Sequence, residues 1–162
     1  MGEYTKVVKG IYETNSDTAG YLLAGSIYGP SYLSFDFALS YYGMIPEAVR
    51  TITSATFKKN KIKEYHTPFG DFIYRDVPAG VFPYGIRLVT EGEYSFRIAT
   101  REKALCDKLY VMKPTKNITE MEELLIDNLR MEEVALSGLN LAEIEFISEL
   151  YRSANVRLLC KH

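Results

Sequence analysis

Basic side chains, which could contact phosphate or an acidic partner, are concentrated in the middle of this sequence. Residues 50–103 carry ten Lys and Arg side chains against six Asp and Glu, whereas the flanking segments 1–49 and 104–162 are both acidic. Phosphate groups and acidic protein surfaces are bound by Lys and Arg. The distribution therefore predicts a basic face on the central part of the fold. A sheet edge studded with lysine, which hinders edge-to-edge aggregation, is an equally good interpretation.

Tyrosine is the second chemical feature of the sequence. The chain has 13 Tyr and no Trp, and Tyr28, Tyr32, Tyr41 and Tyr42 lie within fifteen residues of one another. A Tyr ring combines a large apolar area with a polar hydroxyl, which suits protein interfaces and stacking on nucleic-acid bases. For each residue alone, core packing is the simpler interpretation. As a group beside a basic sheet, they form the best candidate binding surface.

Sequence motifs of the common enzyme classes are absent. There is no Gly-rich phosphate loop, GxSxG elbow, HExxH motif or Cys pair at metal-binding spacing. The remaining enzyme hypothesis is a metal-dependent nuclease that uses Asp71, Asp76, Glu102 and Lys103. Glu102 and Lys103 are adjacent on a predicted helix, however, so their side chains point in different directions. We therefore expect a protein that is not an enzyme and that needs no cofactor or metal.

Two helices are predicted near the N-terminus to position these side chains. Asp17 or Thr18 is a suitable N-cap for a helix at 19–28, and Ser34 caps a second helix that stops at Gly43. A short loop joins them, so they are expected to lie close together.

Alternating polar and apolar residues then predict a sheet, and amphipathic patterns predict helices after it. The predicted strands are residues 51–57, 62–67, 71–75, 86–90 and 94–99. The predicted helices are residues 101–112, 121–129 and 141–151, with Thr100, Thr119 and Asn140 as N-caps. This order indicates an α+β fold in one domain, residues 1–162, with two N-terminal helices, a central antiparallel sheet of about five strands and C-terminal helices.

Composition limits the cellular context. Hydrophobic residues make up 47% of the chain and charged residues 25%, which is ordinary for a globular domain. No apolar run approaches the roughly 20 residues of a membrane helix, and the N-terminus lacks a signal-peptide pattern. We expect a cytoplasmic protein with no membrane partner. Cys106 and Cys160 are expected to be reduced thiols.

Four blocks of sequence resemble a known family. They read GPSYLSFDFALSYYGMIPE, TITSATFKK, FGDFIYRDVP and IATREKALCDKLY, and they span about residues 20 to 112 in the family's order. In these blocks the chain is similar to the C-terminal domain of AbiEi-type antitoxins, which are transcriptional regulators of abortive-infection systems in bacteria. The resemblance implies a non-enzymatic antitoxin of a toxin-antitoxin system for phage defence. Its implied partners are operator DNA and a nucleotidyltransferase-like toxin.

The N-terminal segment departs from that family. Residues 1–14 resemble the end of the β-wing that closes the family's winged helix-turn-helix, but no pair of amphipathic helices precedes Lys9. In the family those helices hold the surface that recognises operator DNA. We therefore expect weak, salt-sensitive DNA binding from this chain, because its net charge is only −2.

The residues expected to contact phosphate or an acidic surface come from the basic region and the Tyr cluster. They are Ser54, Lys58, Lys59 and Arg75 on the strands, Arg101 and Lys103 at a helix start, and Tyr32, Tyr41 and Tyr42. The lead hypothesis is an antitoxin-like regulator that binds nucleic acid, counters a toxin, or does both. The alternatives are a protein-interaction module without DNA binding, and the nuclease.

Overall fold

The structure, a computed structural model, describes residues 4–162 as an α+β fold around a mixed sheet. The strands are β1 (Thr5–Val8), β2 (Ile11–Glu13), β3 (Tyr32–Leu33), β4 (Ile52–Thr56), β5 (Lys63–Thr67), β6 (Gly70–Asp76), β7 (Ile86–Glu91) and β8 (Tyr94–Ala99). The helices are α1 (Ala24–Ile27), α2 (Phe35–Tyr41), α3 (Arg101–Val111), α4 (Ile118–Glu123), α5 (Glu133–Ser137), α6 (Leu141–Tyr151) and α7 (Ala154–Lys161). A 3-10 turn, Gly20–Leu23, precedes α1, and a π-helical segment, Leu124–Asn128, follows α4.

The main sheet has six strands in the order β5-β6-β4-β3-β8-β7. β4 pairs parallel with β6, and β3 pairs parallel with β8, while the other neighbours are antiparallel. The prediction of an antiparallel sheet of about five strands is therefore wrong in strand number and in direction. The missed strand is β3, whose two residues are too few to show a period of two.

The predicted N-terminal helices are also only partly correct. Residues 19–28 do not form one helix but a 3-10 turn followed by the four-residue α1, and neither has a side-chain cap. Gly20 lets this segment lie against the segment around Phe69, because a Cβ atom there would clash with the backbone carbonyl of Phe69. The second helix, α2, is confirmed and begins after Ser34, but the Ser34 hydroxyl donates to Asp107 and does not cap the helix. Gly43, with φ +70°, follows its end.

The C-terminal helices follow their predicted caps more closely. Thr100 accepts a hydrogen bond from the amide of Lys103, and Asn140 caps α6, whose bounds match the prediction. The predicted cap Thr119 is wrong, because Asn117 accepts the hydrogen bond that begins α4. The helices α5 and α7 were not predicted.

Helix α3 is the centre of the packing. It contacts α2, α6, α7 and β8, and its residues from Glu102 to Asp107 are buried. A helix that is covered on several sides must pair each polar side chain it buries, because unpaired polar groups are costly to bury. We therefore expect the buried polar side chains of α3 to be hydrogen-bonded within the interior.

The β1–β2 hairpin lies against the rest of the fold, since β1 contacts β5 and the Tyr94 hydroxyl donates to Glu13 Oε2 at 2.6 Å. The first three residues of the segment that resembles a wing, 1–3, lie outside the described residues. Within residues 4–162, no helix has the length and apolar character needed to cross a membrane.

Candidate nucleic-acid or partner interface

A turn of basic residues follows β4. We call residues 58–61 the lysine turn. The Asp76 carboxylate at the end of the neighbouring strand β6 holds its backbone: Oδ2 accepts from the amides of Lys59 (2.9 Å) and Asn60 (2.7 Å). Oδ1 accepts from the Thr56 hydroxyl at 2.7 Å. One carboxylate therefore ties the turn to both β4 and β6.

The backbone of the lysine turn is strained. Lys58 has φ +55° and Asn60 has φ +60°, in the left-handed region. Asn tolerates this conformation, but for Lys it costs roughly 1–2 kcal/mol. The hydrogen bonds to Asp76 offset that cost, so the backbone of the turn is held in one conformation.

The lysines of the turn have different surroundings. Lys58 and Lys61 are exposed, while Lys59 Nζ donates to the Gly29 carbonyl at 3.0 Å and lies 4.9 Å from the centroid of the Tyr28 ring. Among residues 4–162, the ion pairs involve other basic residues, not those of the lysine turn. Two lysine charges are therefore free to meet a partner.

Arg75 lies beside the lysine turn and extends this basic surface. It lines an open groove of about 530 Å³ together with Asn60, Lys61, Ile62, Asp76, Tyr110 and Val111. Like the turn lysines, Arg75 forms no ion pair among the described residues. The groove offers a concave, positively charged surface large enough for part of a nucleotide chain or an acidic loop.

A second basic group surrounds Tyr42. Its hydroxyl accepts from Arg87 Nη1 at 3.2 Å and donates to the Ala99 carbonyl at 2.7 Å. Burial raises the pKa of Tyr42, and the nearby Arg87 and Arg101 charges oppose that rise. Tyr41 is 43% exposed and packs edge-on against Tyr42, with ring centroids 5.3 Å apart.

The two basic groups lie at opposite ends of the sheet. β3 pairs antiparallel with β4 and parallel with β8, so β4 and β8 run in opposite directions. The lysine turn follows the end of β4, and Arg101 follows the end of β8. Helix α3 runs from Arg101 to Val111, which lines the groove beside the turn. Eleven residues span about 16 Å, so one small ligand cannot contact both groups.

Three of the predicted contact residues are buried, which contradicts their predicted exposure to a partner. Lys103 is 0% exposed, and Tyr32 and Ser54 are each 1% exposed. The Lys103 ammonium donates to the carbonyls of Val81 (2.8 Å) and Tyr84 (2.5 Å), and it also contacts that of Phe82. Lys103 and Tyr32 therefore stabilise the interior instead of facing a partner.

Asp107 is the acceptor that organises this interior. It accepts hydrogen bonds from the hydroxyls of Tyr32 (2.7 Å), Ser34 (2.6 Å) and Tyr151. Burial raises the pKa of Asp107 and lowers the pKa of Lys103, while the attraction between the two charges opposes both shifts. We call Asp107, Lys103 and the three hydroxyl residues the Asp107 cluster. It ties α3 to β3, α2 and α6.

The side chains that the nuclease alternative needs do not converge. Asp71 pairs with the exposed His66 at 2.9 Å, and the buried Glu102 accepts from the amide of Asn140 at 2.9 Å. Asp76 is occupied by its hydrogen bonds to the lysine turn, a role that is common for Asp beside turns. Within residues 4–162, no three His, Cys, Asp or Glu side chains are placed to hold a metal ion.

Sequence reasoning missed the role of Asp107. Its spacing of four residues from Lys103 is visible in the sequence, but the same spacing is common on exposed helix faces. The only further signal is the apolar character of the surrounding stretch, Ala104 to Leu109.

Neither a scan against models of protein families nor a search of curated proteins finds a match to this chain.

Proposed function

We propose that this protein is an antitoxin-like regulatory domain of a toxin-antitoxin system for phage defence. It acts by binding nucleic acid, by countering a nucleotidyltransferase-like toxin, or by both, and not by catalysis. The observation that carries the proposal is the lysine turn, which Asp76 holds in a strained conformation with Lys58 and Lys61 exposed beside Arg75. The resemblance of the four sequence blocks to AbiEi-type antitoxins supports it.

The physical argument for a phosphate partner is preorganisation. A strained backbone is maintained where the surrounding structure fixes it, and such strain clusters at binding and switch sites. In the lysine turn it fixes the backbone that carries two cations with no acidic partner among residues 4–162. A backbone held in one conformation loses less conformational entropy on binding than a mobile loop does.

The expected binding is weak and salt-dependent. If two to four phosphates are neutralised, the affinity falls about 10- to 150-fold between 50 and 200 mM salt. Fluorescence anisotropy with a duplex from upstream of the gene, and with a shuffled duplex of equal length, measures this slope. An affinity that does not change over this range contradicts a phosphate-led mode.

Charge-reversing substitutions test whether the lysine turn contacts DNA. The double variant Lys58→Glu, Lys61→Glu should weaken DNA binding at least tenfold. The matched control is Lys113→Glu, Lys116→Glu, which makes the same charge change at two exposed lysines of the helical part. If the two double variants weaken binding equally, only net charge matters and the lysine turn is not the site.

A second candidate function is a protein-interaction module without DNA binding. The observation that favours it is the aromatic group around the exposed Tyr41, whose ring lies near those of Tyr21, Tyr42 and Phe96 at 5.3–6.4 Å. Exposed aromatic rings are enriched at protein interfaces. Co-purification with the protein encoded beside this one, read by size-exclusion chromatography with light scattering, tests it. A complex that persists at high salt and is lost in Tyr41→Ala favours this function.

A further inference from the structure

Strand β7 forms one edge of the main sheet, where β8 is its neighbour. The other edge strand, β5, lies beside β1 and carries Lys63. β7 has no Lys, no Pro and no bulge in its pairing with β8, and the charges of Arg87 and Glu91 cancel. Edge strands of natural proteins usually carry such features, because they hinder pairing with another chain. The edge of β7 therefore lacks the usual protection against a further strand.

The pairing with β8 determines which backbone groups of β7 point away from the sheet. A two-residue turn joins the two strands, and Glu91 pairs with Tyr94 across it. Residues that flank such a turn form a hydrogen-bonded pair, and these pairs alternate along an antiparallel ladder. The Gly85 carbonyl fits this alternation, because it accepts from the Thr100 amide at 2.9 Å. The even-numbered residues of β7 therefore point their amides and carbonyls away from β8.

The side chains of β7 are accessible at this edge. Leu88 is 70% exposed, and Arg87, Thr90 and Glu91 are also exposed. Arg87 and Glu91 each contact a tyrosine hydroxyl, but neither forms an ion pair among the described residues. An apolar side chain and two unneutralised charges thus lie beside unpaired backbone groups. Exposed strand edges of this kind bind a further strand through their main chain, and the side chains select the partner.

We propose that β7 pairs antiparallel with β7 of a second copy of this chain, which joins the two six-stranded sheets about a two-fold axis. The outward backbone groups bond only in registers that bring even-numbered residues opposite one another. The register centred on Val89 does so, because it sets Leu88 opposite the partner's Thr90. It also sets Arg87 opposite the partner's Glu91, and the two-fold axis forms this ion pair twice. The strand is therefore complementary to itself in both backbone and charge.

This dimer is independent of the proposed function. Lys58, Lys61 and Tyr41, on which DNA binding and toxin binding are proposed to depend, lie outside β7. Substitutions in β7 leave these three residues in place. A chain that binds DNA or a toxin but stays monomeric would overturn the dimer and leave the proposed function standing.

Sedimentation velocity of the full chain at about 5–500 μM tests the pairing. One strand from each copy makes a small interface, so we expect a monomer at the lowest concentration and a dimer at the highest. Leu88→Lys places a charge at the edge and should weaken the dimer about tenfold. The matched control, Leu141→Lys, makes the same change at a 64% exposed leucine of α6 and should leave the dimer unchanged. Neither variant should change the melting temperature, because both side chains are exposed. A monomer at every concentration, or equal effects of the two variants, overturns the proposal.

Disulfide cross-linking tests the register. In the proposed dimer the two Val89 residues form a pair without hydrogen bonds, whose Cα atoms lie about 4.5 Å apart, within the range that a disulfide spans. In a Cys160→Ser background, Val89→Cys should therefore link the two copies on oxidation with copper phenanthroline, as read on a non-reducing gel. Leu88→Cys is the control, because residue 88 lies opposite Thr90 and not opposite its own copy. Equal or faster linking of Leu88→Cys, or no linking of Val89→Cys, overturns the proposal.

Discussion

Asp76 and Asp107 are both hydrogen-bond acceptors, but Lys58 and Lys61 near Asp76 are exposed, whereas Lys103 near Asp107 is buried. Each carboxylate accepts three hydrogen bonds from the chain. Asp76, at the sheet end, fixes a turn whose lysines face solvent. Asp107, in the interior, lies beside Lys103, whose ammonium is buried among backbone carbonyls. Solvent access, and not residue type, therefore decides whether a lysine presents its charge to a partner or stabilises the interior.

The largest expected effect comes from removing the buried acceptor. Asp107→Ala leaves three buried hydroxyls without their acceptor, so we expect a loss of about 3–5 kcal/mol in the free energy of unfolding. Urea denaturation followed by circular dichroism measures it. If this variant does not fold, Tyr151→Phe removes one hydrogen bond to Asp107 and should cost about 1–3 kcal/mol. A loss below about 0.5 kcal/mol in Tyr151→Phe would show that the cluster is not a stabilising unit.

The buried position of Asp107 also makes the stability of the fold depend on pH. Because burial raises the pKa of Asp107, the folded protein holds this proton more tightly than the unfolded chain does. Its contribution is fully present below the ordinary pKa near 4 and is lost as the pH rises through the folded pKa. The stability advantage of the wild type over Asp107→Asn should therefore shrink as the pH rises from about 4 to 8. Urea titrations at several pH values measure it, and an advantage that grows with pH would contradict the direction of this shift.

Removing Asp76, the acceptor at the sheet end, should lower the free energy of unfolding by less than removing Asp107 does. Asp76→Ala frees two amides that water can partly reach and the buried Thr56 hydroxyl, so we expect a loss of about 1–3 kcal/mol in the free energy of unfolding. It should also weaken DNA binding, because the lysine turn is no longer held in one conformation. The matched control is Asp71→Ala on the same strand, whose exposed pair with His66 contributes little. Equal effects of the two variants would mean that Asp76 has no special role in the turn.

The smallest effect on stability belongs to the lysines themselves. Replacing Lys58 and Lys61 by Gln should change the free energy of unfolding by less than about 0.5 kcal/mol, because exposed side chains without partners contribute little. DNA binding should weaken in the same variant, as measured by anisotropy. If stability falls by more than about 1 kcal/mol, the lysines of the turn are structural, and the contrast with Lys103 disappears.

Local patterns predicted the strands well, but they could not predict the pairing. The alternation in 71–75 and 94–99 matches β6 and β8 closely, because one face of each strand is buried. The parallel pairs β4–β6 and β3–β8 depend on contacts between distant segments, which no local pattern encodes. The two-residue β3 is a strand only because β4 and β8 lie on either side of it.

The candidate sites show the same limit. The predicted strands 51–57 and 62–67 leave the lysine turn as the connection between them, and its exposure is consistent with its charge. The hydrogen bonds from Asp76 to this turn could not be predicted, because they depend on β6 lying beside β4. Lys103 was expected at the surface because it is charged, but helix α3 is covered on several sides. A charged residue on a fully packed helix looks the same in sequence as one on a solvent-facing helix.

The burial of Lys103 gives the chain a chemical record of its own unfolding. An acylating reagent added to the native protein should modify exposed lysines such as Lys58 and Lys61 within minutes, while Lys103 is shielded. Lys103 becomes reactive only when α3 separates from the loop that carries Val81 and Tyr84. Mass spectrometry of the labelled peptides would therefore count opening events at this one position.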